Sequence, residues 1–143
     1  MSTIEVRMLT QVDAALLETV AADVFDEPID ANWSAEFLAD SRHHLAAAIE
    51  AGVIVGMASA VHYIHPDKPP ELWINEVGVT ETHRRRGLAR RLLEALFERG
   101  RGLGCSQAWV LADQSNVTAH RLYESAGGEA SPEPAIMFEF PLL

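Results

Sequence analysis

The chain has 143 residues, of which 48% are hydrophobic and 22% charged, and its formal net charge is −10 at pH 7. This length and composition are typical of one packed domain, here residues 1–143, and exclude a disordered chain. The negative charge disfavours general nucleic-acid binding.

The amino-terminal residues lack the basic and apolar layout of a secretory signal, and no apolar run approaches the roughly 18 residues of a membrane span. We therefore expect a cytoplasmic protein without a membrane partner. Cys105 is the only cysteine, which excludes an intrachain disulfide and a cysteine-rich zinc site. His62 and His65 are an odd number of residues apart on a predicted strand, so they should face opposite ways, and no metal site is expected.

The first half of the chain predicts one strand, two helices and a hairpin. Residues 4–9 alternate apolar and polar side chains, and residues 10–25 repeat an apolar side chain at every fourth position, as in an amphipathic helix. Ser34 is expected to begin a short second helix after a turn-rich loop. The strand-like runs 44–50 and 53–64, separated by a tight turn, predict an antiparallel hairpin.

The second half predicts a strand at 71–80, a helix at 87–103, a strand at 107–111, a helix at 116–128 and a terminal strand at 135–143. The buried face of the first of these helices should carry Leu88, Leu92, Leu93, Leu96 and Leu103. This order indicates an α/β (α+β) fold with a central mixed, mostly antiparallel sheet and helices on both faces. The fourth and fifth strands should be parallel neighbours joined by a right-handed crossover.

Five arginines lie between positions 84 and 91, at the start of a predicted helix. A helix start carries unpaired N–H groups and partial positive charge, so it can bind phosphate groups. Gly87 permits positive φ and a close approach of a ligand to the main chain, and the small Ala89 keeps that approach open. The arginines add charge and bidentate contacts. The pattern predicts a diphosphate cradle, and the G-x-x-x-x-G-K-[ST] triphosphate loop is absent.

The segment VGVTETHRRRGLARRLL resembles the acyl-coenzyme-A-binding segment of the GNAT superfamily of N-acyltransferases, whose pattern is [QR]-x-x-G-x-[GA] after a strand. Arg84, Gly87 and Ala89 fill that pattern. The later segment DQSNVTAHRLYESAGG is similar to the family's N-x-x-A-x-x-L-Y-x-x-x-G, and the matching residues are Asn116, Ala119, Leu122, Tyr123 and Gly127. The resemblance implies a splay between strands 4 and 5 that admits the pantetheine arm of acetyl-CoA.

The resemblance also implies which residues contact the coenzyme. Pantetheine would pair with the fourth strand, where Gly78 suits a bulge. The N–H groups of about residues 85–90 would hold the pyrophosphate. The coenzyme-binding residues implied in this way are Val77, Gly78, Val79, Arg84, Arg85, Arg86, Gly87, Leu88, Ala89, Arg90, Asn116, Ala119 and Tyr123.

A primary amine with a pKa near 10 must lose a proton before it can attack a thioester. Glu76, beside the expected splay, is the candidate general base, and His83 is the second candidate. The structural alternative for Glu76 is an ion pair with a nearby arginine. The N–H of Val77 or Val79 would stabilise the tetrahedral oxyanion. Tyr123 resembles the family tyrosine that points at the coenzyme sulfur and protonates the leaving thiolate, and its alternative is a buried core tyrosine.

The parts that build the acceptor site in this superfamily are acidic here, which favours a polycationic amine, and the residues are Asp26, Glu27, Asp30, Glu71, Glu76 and Asp113. The segment HPDKPPELWINEVGV resembles the corresponding region of aminoglycoside 3-N-acetyltransferases, which carry an aspartate where Glu76 stands. A polyamine, an amino sugar and a peptide or protein amine stay open as acceptors. A coenzyme sensor without catalysis is the alternative of another class. The sequence does not determine the oligomeric state: members of the superfamily often form homodimers, sometimes through the carboxy-terminal strand, and the apolar segment 135–143 is compatible with such a dimer.

Overall fold

A five-stranded sheet forms the centre of the computed structural model, which describes residues 2–143. The strands are β1 (Ile4–Met8), β2 (His43–Glu50), β3 (Val53–Tyr63), β4 (Glu71–Val79) and β5 (Ala108–Val110). They lie side by side in chain order; the pairs from β1 to β4 are antiparallel, and β4 and β5 are parallel. The predicted mixed, mostly antiparallel sheet is confirmed.

The helical elements are a 3₁₀ helix (Gln11–Glu18), α1 (Ala31–Ala39), a short 3₁₀ helix (Glu81–His83), α2 (Leu88–Gly102) and α3 (Val117–Ser125). The helix α1 begins before the predicted Ser34, because the Asp30 carboxylate caps it by accepting the N–H of Trp33 at 2.9 Å. Within residues 2–143, no helix combines the length and apolar character needed to cross a membrane.

The predicted helix over residues 10–25 is wrong beyond Glu18. Residues after the 3₁₀ helix run alongside β3, where the N–H of Ala21 donates to Ile54 O (2.9 Å) and the N–H of Ile54 donates to Thr19 O (3.0 Å). The sheet thus satisfies backbone groups that an α-helix would have satisfied internally. Of the apolar side chains spaced four residues apart, Leu16, Val20 and Val24 pack in the core, whereas Val12 is 89% exposed.

The two faces of the sheet carry separate apolar layers, so the predicted helices on both faces are confirmed. The helix α2 packs on one face through Leu88, Leu92, Leu93 and Leu96, against residues of the central strands. Leu103 is 38% exposed because α2 ends at Gly102. The opposite face is covered by the first 3₁₀ helix and α1.

The predicted carboxy-terminal strand is wrong: residues 129–143 contain no helix or strand. The helix α3 ends where Gly127 takes a φ of +96° and Gly128 donates its N–H to Tyr123 O at 2.9 Å. Beyond it, Phe138 and Phe140 are 77% and 79% exposed. A strand forms only when an edge supplies hydrogen-bond partners, and the tail pairs with no edge within residues 2–143.

Candidate active site

The strands β4 and β5 separate partway along β4, as the family resemblance implied. They pair only over Leu72–Ile74 and Ala108–Val110, whereas β4 continues to Val79. The N–H of Thr80 donates to Val55 O on β3 at 2.9 Å. Because backbone groups of successive residues in a strand point to opposite edges, Val77 and Val79 direct theirs toward the open edge. A further extended chain can therefore hydrogen-bond to β4 here.

A bulge in β4 turns the Glu76 side chain toward the face that carries α1. On β3, the neighbouring residues Ser59 and Ala60 face Glu76 and Ile74, so Asn75 is the extra residue. The bulge expected at Gly78 is therefore wrong in position. Gly78 serves a different purpose: a Cβ there would overlap the carbonyl oxygen of Val24. Its lack of a side chain lets the segment that contains Val24 cross β4.

The turn before α2 presents a row of free backbone donors. Arg85 and Gly87 adopt positive φ values of 64° and 74°. None of the N–H groups of residues 85–90 donates to another group within residues 2–143, and the N–H of Arg91 donates to Gly87 O at 3.1 Å. A Cβ at Gly87 would meet no atom within 4 Å. The space in front of these donors is thus open, as an anion site requires.

The arginines of this turn do not act alike. Arg84 donates from Nε to Val79 O at 2.9 Å, so its side chain braces the turn against the end of β4. Arg90 pairs with Glu94 along α2 at 3.2 Å, and Arg85 and Arg86 are exposed. Leu88 is buried in the core, which leaves only its N–H for the turn.

Two clefts meet at Glu76 and Asp26, which line both of them. The first, the strand cleft, has a volume of about 440 Å³ and is bounded by residues 75–79 of β4, Arg84 and Thr118. The second, the loop cleft, has a volume of about 350 Å³ and lies between α1, the loop before it and the sheet. A carboxylate therefore lies at the boundary between an open strand edge and a separate pocket.

Glu76 is half-buried, and its pKa is raised chiefly by burial and further by the negative charge of Asp26, with the backbone of Asp26 opposing part of the rise. It forms no ion pair with any residue of the described chain, 2–143, so the structural alternative of an arginine partner finds no support. A carboxylate with raised proton affinity and access to two clefts can accept a proton from a bound amine.

The acidic residues predicted for an acceptor site divide into two groups. Asp26, Glu27 and Asp30 line the loop cleft. Glu71 instead accepts a hydrogen bond from Gln107 at 3.1 Å outside both clefts. Asp113 also lies outside them, where its carbonyl oxygen accepts the N–H of the residue at position 116 at 3.0 Å.

His83 does not line either cleft. Its Nε2 lies 2.8 Å from a carboxylate oxygen of Glu50, and its Nδ1 lies 2.8 Å from the hydroxyl of Thr82. These contacts tie the loop after β4 to the end of β2. The geometry leaves Glu76 as the base candidate that faces the clefts.

The helix α3 brings one unpredicted residue to the strand cleft. Asn116 caps α3 by accepting the N–H of Ala119 at 3.0 Å. Tyr123 is half-buried, burial raises its pKa, and its hydroxyl has no hydrogen-bond partner within residues 2–143. It lines neither cleft, whereas Thr118 lines the first. Thr118 occupies a variable position of the second motif, so the sequence carried no signal for it.

Apolar side chains of the loop cleft also lacked a clear sequence signal. Phe25, Ile29, Trp33 and Phe37 contribute to its wall. Phe25 and Phe37 lie in predicted helices, where their positions are equally consistent with the core, and Ile29 lies in the predicted loop between them. Only their placement around Glu76 shows that they border a pocket.

Comparison with known proteins agrees with this geometry. Residues 10–128 match the family model described as acetyltransferase (GNAT) family. The chain is 32% identical over 118 residues to the L-2,4-diaminobutyric acid acetyltransferase of Streptomyces coelicolor, a match that covers 79% of this chain and 67% of that protein.

Two solved structures share the fold over nearly the whole chain. One is an aminoglycoside acetyltransferase from an uncultured soil metagenomic sample, with a TM-score of 0.80, 26% identity, and 99% of each chain covered. The other is the aminoglycoside N-acetyltransferase AAC(6')-Iy in complex with CoA, with a TM-score of 0.79, 19% identity, and 98% and 96% of the two chains covered. The chain belongs to the acetyltransferase (GNAT) family and is an acetyl-CoA-dependent N-acetyltransferase.

Proposed function

We propose that the protein transfers an acetyl group from acetyl-CoA to a primary amine of a cationic small molecule, with the 3-amino group of an aminoglycoside as the first candidate acceptor. The observation that carries the proposal is the position of Glu76. It lies where the strand cleft, beside an open β4 edge, meets the acidic loop cleft.

The strand cleft and the turn before α2 fit the coenzyme. The free N–H groups of residues 85–90 would bind the pyrophosphate, aided by the exposed Arg85 and Arg86. The open edge at Val77 and Val79 would pair with the pantetheine arm. Asn116 and Ala119 would approach that arm from the start of α3, next to Thr118.

The proposed reaction is a direct transfer from the thioester to the amine. Glu76 removes a proton from the ammonium group of the acceptor, directly or through a water, and the neutral nitrogen forms a bond to the acetyl carbon. The N–H of Val77 or Val79 stabilises the oxyanion. The C–S bond then breaks, Tyr123 gives its proton to the leaving thiolate, and the second proton of the attacking nitrogen passes to the Tyr123 phenolate as the neutral amide forms. Support for that role is the pKa of Tyr123, which burial raises, so the hydroxyl is protonated at neutral pH.

The charge of the loop cleft favours a polycation. Asp26, Glu27 and Asp30 line it, and none of its lining residues is lysine, arginine or histidine. A diamino acid, the substrate class named for the Streptomyces relative, also carries a carboxylate, which would face these acids without a cationic partner. An aminoglycoside or a polyamine has no such group. The apolar surface of either molecule can also contact Phe25 and Trp33.

A panel of amines tests the proposal by thiol release from acetyl-CoA. The panel contains aminoglycosides, polyamines, amino sugars, 2,4-diaminobutyrate and peptides, and NMR of the product identifies the acetylated nitrogen. We expect release with polycations above release with the diamino acid. Tight coenzyme binding by calorimetry without release from any amine would instead support the non-catalytic sensor.

Substitution of Glu76→Gln should lower kcat/KM by about 10²- to 10⁴-fold, a typical contribution of general base catalysis, while coenzyme affinity stays unchanged. Because the pKa of Glu76 is raised, wild-type activity should fall as the pH drops through that raised value, and the variant should lose this dependence. Glu71→Gln is the control, since Glu71 lies on the same strand outside both clefts. Equal loss in both variants would refute the role of Glu76.

A further inference from the structure

Ser59 has the most buried polar side chain among the residues that line the loop cleft. It lies on β3 and is 7% exposed. Its Oγ makes no hydrogen bond within residues 2–143, and no side-chain oxygen of these residues is both sealed from solvent and without a partner. The Oγ therefore opens into the cleft. A buried hydroxyl without a partner is unfavourable, and a molecule bound in the cleft can supply that partner.

Ser59 and Glu76 face each other across β3 and β4. They are register partners on antiparallel strands, and the side chains of such partners point to one face with Cβ atoms about 4.5–5.5 Å apart. Both residues line the loop cleft. The Glu76 carboxylate interacts with the backbone of Asp26 and not with the Ser59 hydroxyl. One nitrogen atom bound in the cleft can therefore contact both side chains.

Packing alone does not explain a hydroxyl at this position. The neighbouring residues of β3, Ala58 and Ala60, are alanines in the apolar layer under α2, and Met57 lies in the layer on the face of Ser59. An alanine at position 59 would occupy nearly the same space without burying a hydroxyl. A bound molecule with an N–H or O–H group gives the hydroxyl a purpose.

The proposed reaction leaves one N–H on the acceptor nitrogen. A primary ammonium group has three N–H bonds: Glu76 takes one proton, the Tyr123 phenolate takes the second, and the third stays on the amide. Once Glu76 is protonated, its negative charge no longer attracts the nitrogen, whereas the Ser59 Oγ can still accept a hydrogen bond. An N–H held by Ser59 leaves the nitrogen lone pair free to point at the acetyl carbon.

We propose that the Ser59 Oγ accepts a hydrogen bond from the N–H that the attacking nitrogen keeps, and that this contact selects primary over secondary amines. The inference rests on the proposed function. A secondary ammonium group has two N–H bonds and loses both protons during the transfer. It brings an alkyl group against Ser59 in place of the N–H, so the buried hydroxyl stays unpaired. Ser59 is thus a specificity-determining residue, and Glu76 is the base.

Acetyl transfer to two matched acceptors tests this contact. The probes are the fastest acceptor of the amine panel and the same molecule methylated at the nitrogen that NMR of the product identifies. The wild type should have the higher kcat/KM with the primary amine. In Ser59→Ala this preference should fall by about 5- to 150-fold, the effect of one unpaired buried hydroxyl. The KM of acetyl-CoA should not change, because Ser59 lines the loop cleft and not the strand cleft.

Two further variants control the comparison, and circular dichroism checks that each is folded. Ser59→Thr keeps the hydroxyl and should keep the preference. Ser106→Ala should match the wild type, because Ser106 is exposed and lies outside both clefts. An equal loss of kcat/KM with both acceptors in Ser59→Ala would overturn the inference and indicate a structural role, and a preference lost in Ser59→Thr would overturn it too.

The failure of this inference is distinguishable from the failure of the proposed function. A wild type that acetylates no amine overturns both. Transfer with the same preference for the primary amine in the wild type and in Ser59→Ala overturns the role of Ser59 alone.

Discussion

The space beside Gly78 on β4 is occupied by the backbone of a distant segment. A Cβ at this position would overlap the carbonyl oxygen of Val24 and lie 3.0 Å from its carbonyl carbon. Val24 is 2% exposed, and its segment is tied to β3 through the hydrogen bonds of Ala21 and Thr19 with Ile54. Because backbone cannot rotate away as a side chain does, Gly78→Ala must displace one of the two segments.

We expect Gly78→Ala to lower the free energy of unfolding by about 3 kcal/mol, the upper part of the range for overpacking. For a chain of this length that corresponds to a fall of roughly 10 °C in Tm. Urea unfolding followed by circular dichroism measures the loss. Displacement of Val24 should also move Asp26 from Glu76 and raise the KM of the acceptor.

Gly102→Ala is the matched control. Gly102 lies in α2, its φ is not in the left-handed region, and a Cβ there meets no atom within 4 Å. Alanine should therefore stabilise the protein by about 0.5 to 1 kcal/mol through its helix propensity. Equal changes of the unfolding free energy in the two variants would contradict a backbone clash at position 78.

Three further substitutions test other features. Gly87→Ala should lower the free energy of unfolding by about 1 to 2 kcal/mol because the φ of Gly87 is +74°. It should also weaken coenzyme binding more than tenfold in calorimetry. Gly104→Ala is the control: Gly104 has a φ of +80°, so the variant should lose stability without losing affinity for the coenzyme. Burial and the neighbouring imidazole of His62 lower the pKa of His44 to about 4. In this pH range His44 takes up a proton on unfolding, so the stability of the fold decreases as the pH drops from about 6.5 toward 4. This pKa shift lowers the free energy of unfolding by about 2 kcal/mol at pH 5. Urea unfolding at a series of pH values should show a smaller loss of stability in His44→Gln, and an equal dependence of stability on pH in the variant and the wild type would contradict this role of His44. Hydrogen bonds from Arg7 at 2.9 Å hold the pKa of Asp13 at about 2, so their stabilisation should vanish as the pH falls from about 4 to 2. After allowance for solvent screening, Asp13→Asn should cost about 1 kcal/mol at pH 7 and nothing at pH 2.

Short-range patterns in the sequence predicted much of the sheet and the turn before α2. The alternation in β1 and the leucine spacing in α2 each reflect one element burying one face, which neighbouring residues alone decide. The left-handed conformation at Gly87 is likewise a local property of a residue without a Cβ. These parts were predictable because their physical cause lies within a few residues.

Other features depend on partners far away in the sequence. The bulge that orients Glu76 arises from its register with Ser59 on β3. The end of the first helical segment at Glu18 depends on the hydrogen bonds that β3 offers to residues 19–21. The loops that fold over the sheet decide which acidic residues line the clefts: Asp26 lies where the two clefts meet, and Asp113 lies outside both.

The sequence by itself determined the alternating and helical segments, the free donors before α2, and the supply of acids and apolar residues. Only the tertiary structure decided which of them meet: Glu76 lies with Asp26 at the boundary of two clefts, and the carboxy-terminal tail is left exposed. The physical reason is that local conformation is set by the chain's own neighbours, whereas burial, pKa and strand partnership are set by groups that folding brings from elsewhere.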